Sequence, residues 1–170
     1  MSINKTIKDR RSIRKYKPDT IPKNIIKDLK EALIWAPSAG NLQSRKFYFV
    51  YNKETREKLA QAAYGQTFIA EAPLVIVGCT DSETAASEYG QRGSQLYTIC
   101  DVSLSIQNAM LLATEHKLGT CWVGSFDEGV VGQTLSIPKN LRPIVILPVG
   151  YPDEEPSPPE RIEDATVDIV

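Results

Sequence analysis

The sequence predicts a β-sheet flanked by helices, of the α/β or α+β class. Three observations carry this. Two continuous apolar runs, APLVIVGCT and RPIVILPVGY, have the length and residue types of buried strands. Segments with apolar residues at helical spacing alternate with such strands along the chain. The longest of these segments, LYTICDVSLSIQNAMLLATEHK, is apolar or small on most faces (Ile99, Val102, Ile106, Ala109, Met110, Ala113). A helix of that kind is buried all round, in a core or against a partner.

The elements follow in order. A short helix is expected over Ile3 to Arg10, capped by Ser2 or Asn4. The chain then turns through the basic stretch DRRSIRKY to Pro18. In IPKNIIKDLKEALIWAPS, Pro22 suits a first helical turn and Thr20 is the candidate cap. Ile25, Ile26, Leu29, Leu33 and Ala36 mark its buried side, Lys23, Lys27, Lys30 and Glu31 its wet side, and Pro37 stops it. After the loop SAGNLQSR, KFYFVYN reads as a strand of aromatic and β-branched residues. KETREKLAQAA is a further amphipathic helix, and the first apolar run follows it. EYGQRGSQ is a polar, glycine-containing approach to the long helix, which Gly119 is expected to close. TCWVG is a short strand, DEGVVGQTL a helix opened by Asp127, and RPIVILPVGY the final strand. From Pro152 the prolines and acids favour an extended arm.

A chain of 170 residues suits one hydrophobic core, so residues 1–170 are expected to form one domain. A net charge of −1 argues against a protein that lives on nucleic acid. No apolar run approaches the roughly 20 residues of a bilayer span, and MSINKTIKDRR lacks the apolar core of a secretory signal. The expectation is a cytoplasmic protein with no membrane partner. Cys79, Cys100 and Cys121 form no C-x-x-C pair and sit in apolar sequence, as reduced structural thiols do. The single histidine, His116, falls at a helix end, where a cation suits the dipole. It signals neither a metal site nor a Ser-His-Asp hydrolase.

Neither a G-x-x-x-x-G-K-[ST] loop nor a G-x-G-x-x-G turn is present. A nucleotide-like cofactor would therefore have its phosphate held by side chains. RRSIR offers planar guanidinium forks and a hydroxyl for that purpose. The alternative is a solvated helix end whose cations complement the dipole. APSAGNLQSR is a turn rich in amides and hydroxyls, fit to recognise a polar heterocycle or sugar chain, or simply to connect. In KLGTCWVGSFD, Gly119 and Gly124 either serve turns or let backbone N–H groups approach a flat ring.

In this order and spacing, RRSIRKYKPDTIP, APSAGNLQSRKFYFV, AEAPLVIVGC, LGTCWVGSFD and VGYPDEEPSPPER together resemble the FMN-dependent nitroreductase family, over nearly the whole chain. The resemblance implies an α+β fold with a central mixed or antiparallel sheet between helices. It also implies a homodimer with FMN at the subunit interface, and an arm (151–170) extending onto the partner. By motif, Arg10, Arg11, Ser12 and Arg14 match the FMN cluster, with Arg10 on the phosphate. Pro37, Ser38, Asn41 and Gln43 match the loop that reaches FMN from the other subunit. Val123, Gly124 and Ser125 match the backbone beside the flavin N5, and Arg161 the late basic residue that closes on the phosphate. Gln66 is a further candidate. No metal and no catalytic acid or base is implied. Electrons would pass from NADH or NADPH through the flavin to a small organic acceptor, a nitroaromatic or a quinone, by a ping-pong route. Reductive dehalogenation, flavin breakdown, or a flavin-binding sensor or carrier without turnover are the alternatives on the same fold. Ser44-Arg45 stands where many members carry proline and an aromatic, and Gly124 where some carry glutamate. The chain also lacks the helical insert that covers the flavin in larger members.

Overall fold

A computed structural model describes residues 2–162. Four strands form one sheet: β1 (Arg45–Val50), β2 (Leu74–Asp81), β3 (Gly119–Thr120) and β4 (Leu141–Gly150), in the order β1-β2-β4-β3. All three pairings are antiparallel, so of the two expected forms of the sheet the antiparallel one is observed. Among the described residues the one parallel contact is a single bridge between Ser12 and Thr120.

β2 and β4 are central and covered on both faces, which is why their sequences are continuous apolar runs. Side chains still alternate. Leu74 and Ile76 face α2 (Lys23–Ile34) and α6 (Thr98–Glu115) together with Leu29, Leu33, Val102 and Ile106. Val75 and Val77 face the opposite way with Leu59, Ile69, Val131 and Ile146, under α3 (Lys53–Ala62), α4 (Phe68–Glu71) and α7 (Glu128–Thr134). The result is helices, sheet, helices: an α+β fold.

Caps follow local chemistry. Ser2 caps α1 (Ile3–Asp9) by accepting from Lys5 N, and Asp127 caps α7 by accepting from Val130 N. Asn4 lies inside α1. The expected cap at Thr20 is not formed: Pro22, expected in the first turn, occupies the N-cap position with a non-helical ψ of 145° and has no side chain that can accept, and Thr20 lies two residues before it. Ala36 is buried but lies beyond the helix, which ends at Ile34.

The approach to the long helix differs from expectation. Residues 82–92 form α5 (Ser82–Arg92), interrupted where Gly90 takes φ 53°, and Gly93–Tyr97 form a π-turn running into α6. Asp81 caps α5 by accepting from Thr84 N, a signal that outweighs the polar, glycine-containing composition. Within one chain α6 is buried on its inner side only. Asp101, Val102, Ser105, Ile106, Ala109 and Met110 face inward, while Leu96, just before it, and Cys100 and Leu104 are exposed. Cys100 is therefore a surface thiol, unlike buried Cys79 and Cys121. Gly119 does not close α6. His116 caps it, Lys117 takes the left-handed φ of 59°, and Gly119 belongs to β3. The helical run 82–115 is long and apolar enough, by length and composition only, to cross a membrane, a property that core helices share. Its buried side packs on the sheet and carries Asp101 and Ser105, as in a core helix.

Candidate functional site

The basic stretch is held as an extended segment between two neighbours. Ile13 N donates to Thr120 O (2.9 Å), Lys17 N to Tyr151 O (2.9 Å), and Asp153 N to Lys15 O (2.9 Å). Ile13 and Tyr16 point inward with Ala72, and Tyr16 Oη donates to Ile13 O (2.7 Å). Gly119 makes this approach possible, since a Cβ there would lie 2.5 Å from Ile13 Cγ1. The anchored apolar residues thus fix the backbone from which Arg10, Arg11, Ser12 and Arg14 project.

Arg10, Arg11, Ser12, Gln107, Trp122 and Arg161 line a cavity of about 830 Å³, and a second one of about 390 Å³ adds Arg14 and Ser157. Arg10 is half-buried. Burial lowers its pKa, and the charges of Arg161 and Arg11 lower it further. Of the nearby carboxylates, Asp9 pairs with Lys5, and Glu154 accepts from the backbone N of Arg14 rather than from a guanidinium. Among the described residues, no ion pair reaches Arg10, Arg11, Arg14 or Arg161. Arg11 turns partly back, donating to Lys8 O (2.6 Å) and Arg10 O (2.8 Å). The arrangement is a convergent set of guanidinium groups, in no ion pair among the described residues, with a hydroxyl among them, suited to a polyvalent anion.

Val123 is fixed to β4 by two backbone bonds with Ile146 (3.0 and 2.9 Å), and Gly124 and Ser125 follow it into solvent. Gln66 joins them: its Nε2 donates to Ala63 O (3.0 Å) and Ser125 O (3.3 Å). Trp122 and Gln107 are lining residues that sequence reasoning does not single out. The one is a large aromatic in a glycine-spaced segment, the other a polar residue interrupting an apolar helix.

Pro37, Ser38, Asn41 and Gln43 lie elsewhere. Their loop contains a 3₁₀ turn (Ala39–Asn41), and Gly40, Asn41 and Gln43 all take left-handed φ near 54°. Gln43 N donates to Ser38 Oγ (3.0 Å). The loop is tied to α6 at Asp101, whose carboxylate accepts from Ala39 N (3.0 Å) and Ser44 Oγ (2.9 Å). The Arg45 guanidinium donates to the carbonyls of Ile34, Ala36 and Pro37 at the end of α2. Burial lowers the Arg45 pKa, against the pull of Asp101. Asp101 and Met110, which lines the basic cavity, stand about 13 Å apart along α6. Neither of the two cavities lined by the arginine cluster is lined by the polar loop of the same chain.

The chain belongs to the Nitroreductase family, whose sequence model matches residues 7–73 and 62–151. It is 31% identical over 160 residues to a Methanothermobacter thermautotrophicus protein named for NADH dehydrogenase and NAD(P)H nitroreductase, covering 92% of this chain and 80% of that one. It is 26% identical over 176 residues to the FMN reductase [NAD(P)H] of Bacillus subtilis, covering 96% and 71%. In three dimensions it matches an FMN-dependent nitroreductase of Clostridium difficile with a TM-score of 0.79 and 29% identity, covering 96% and 93%.

Proposed function

We propose that the chain is an FMN-dependent oxidoreductase that takes electrons from NADH or NADPH and passes them to a small organic acceptor, a quinone or nitroaromatic, in two alternating half-reactions. FMN would lie between two copies of the chain. One observation carries this reading. Among the described residues no ion pair neutralises the guanidinium cluster, and the polar loop that would complete the site lies apart from it in the same chain. A second copy resolves both facts if its loop reaches over the first copy's cluster. The exposed Leu96 and Leu104, beside a long helix packed on its inner side only, give such a partner an apolar seat.

The residues fit the cofactor. Arg10 and Arg161 would hold the phosphate, with Arg11 adding charge from the side. Ser12 would bond the ribityl chain, and Arg14 would stand near the pyrimidine edge. The backbone of Val123, Gly124 and Ser125, steadied by Gln66, would flank the ring. Pro37, Ser38, Asn41 and Gln43 would come from the partner. The arm from residue 151 would extend onto the partner; residues 163–170 lie outside the described part. Bound FMN supplies the redox chemistry, accepting hydride and releasing electrons. What the chain supplies is fixed positive charge from Arg14 where negative charge accumulates on reduction, and a site that admits one substrate at a time. An anaerobic acceptor screen with both nicotinamides tests the reading. Rapid oxidation of one nicotinamide with a quinone or nitroaromatic is expected. Flavin reduced only by a chemical reductant would make the protein a sensor or carrier instead.

A further inference from the structure

We infer that Asp101 is a positioning residue for the cofactor: it sets the polar loop 37–43 on the α6 surface in the conformation that contacts FMN bound to the partner. The inference rests on the function proposed above. Asp101 is 2% exposed, the one buried acid among the described residues. The reactions proposed make no use of it, and burying a carboxylate is costly unless its oxygens are satisfied. Both oxygens are spent on the loop. Oδ1 accepts from Ala39 N at the first residue of the 3₁₀ turn (3.0 Å), and Oδ2 from Ser44 Oγ just past its end (2.9 Å). The carboxylate therefore brackets Gly40–Gln43, a stretch with three left-handed residues that has no regular ladder of its own.

Two further contacts make the bracket stiff. Thr98 Oγ1 donates to Ser44 O (2.6 Å), and Arg45 ties the preceding carbonyls at Ala36 and Pro37 while approaching Asp101 O. From outside, the Tyr89 hydroxyl packs on Gly40. Ser44 and Arg45 stand where relatives by resemblance carry proline and an aromatic. Here the rigidity comes from hydrogen bonds to Asp101 and to the end of α2 instead. Because α6 also carries the apolar seat for the partner, one helix sets both the partner and the loop that reaches across to it.

The test uses the full chain, freed of flavin and titrated with FMN, with fluorescence quenching and the visible circular dichroism of bound flavin as readouts. Asp101→Ala removes both acceptors. Asp101→Asn keeps an acceptor for Ala39 N and a polar partner for Ser44. Ala39→Pro removes only the loop's donor: Ser38 is already extended (φ −144°, ψ 155°) and the first turn position tolerates proline, so the backbone need not change. Losing a hydrogen bond to a charged group predicts FMN binding weakened about tenfold or more in Asp101→Ala and Ala39→Pro. The flavin dichroism should change in both, and Asp101→Asn should restore both readouts to within about threefold of the parent. If Asp101→Ala fails to fold, Ala39→Pro decides. Parent-like affinity and dichroism in Ala39→Pro, or Asp101→Asn as poor as Asp101→Ala, would overturn the inference. A parent protein that binds no FMN at all would instead overturn the function on which it rests.

Discussion

Replacing Gly119 by alanine tests whether the packing under the basic segment holds the site together. The new Cβ would meet three atoms of Ile13, at 2.5 Å (Cγ1), 2.7 Å (Cβ) and 2.9 Å (Cγ2). Carbon atoms rest at about 3.5–4.0 Å, so the shortfall is near 1 Å. A rotamer change cannot relieve it, because both branches and the stem of Ile13 face the same point. Ile13 must move outward, and its backbone bond to Thr120 O moves with it. Overpacking of this kind costs about 1–3 kcal/mol. At about 2–4 °C per kcal/mol for a chain of this size, the midpoint should fall by roughly 2–12 °C. FMN affinity should fall too, since Ser12 and Arg14 flank Ile13. Gly132→Ala is the control: it lies in α7 with nothing within 4 Å of the added methyl, so it should stabilise by a few tenths to 1 kcal/mol. Gly119→Ala with the parent's melting temperature and FMN affinity would refute the reasoning.

Arg10→Ala should weaken FMN about 10- to 150-fold, the loss of one charged hydrogen bond, while leaving riboflavin binding unchanged; competition titrations with both flavins measure it. Arg14→Gln should make the flavin potential more negative by about 20–40 mV, roughly 1–2 kcal/mol for a two-electron couple, read by anaerobic titration against a reference dye. Stability should fall as pH rises through the alkaline range. Burial pushes the Cys79 thiol from its ordinary 9.0 up to about 12 and raises Cys121 and Tyr16 as well. Between those values the unfolded chain releases protons that the folded chain keeps, so each pH step favours unfolding. Urea melts at successive pH values should show the decline beginning near pH 9 and weakening in Cys79→Ala relative to its own neutral-pH value.

What the sequence made legible follows physical scale. Apolar runs at Leu74–Asp81 and Leu141–Gly150 announced the central strands because burial on both faces leaves little room for polar residues. Asp127 and Ser2 announced helix starts because a cap acts over three residues. Thr20 is no cap because the N-cap position falls on Pro22, two residues later. Gly119 looked like a helix stop, yet its lack of a side chain serves a neighbour distant in sequence, Ile13. Among candidate site residues, the structure places the arginine cluster and Arg161 on shared cavities, and sets Gln66 against Ser125 O, a contact that motif order does not signal. The role of Asp101 was invisible: an acid in an apolar helix gives no sign of the turn some 60 residues earlier that it holds.

The most direct test of the account is sedimentation of the purified chain with FMN, monitored at both protein and flavin wavelengths. The account predicts a yellow dimer with one FMN per chain, whose flavin is lost when the dimer is split by Leu104→Glu. A monomer that binds FMN in full, or a chain that stays colourless when FMN is supplied, would contradict it.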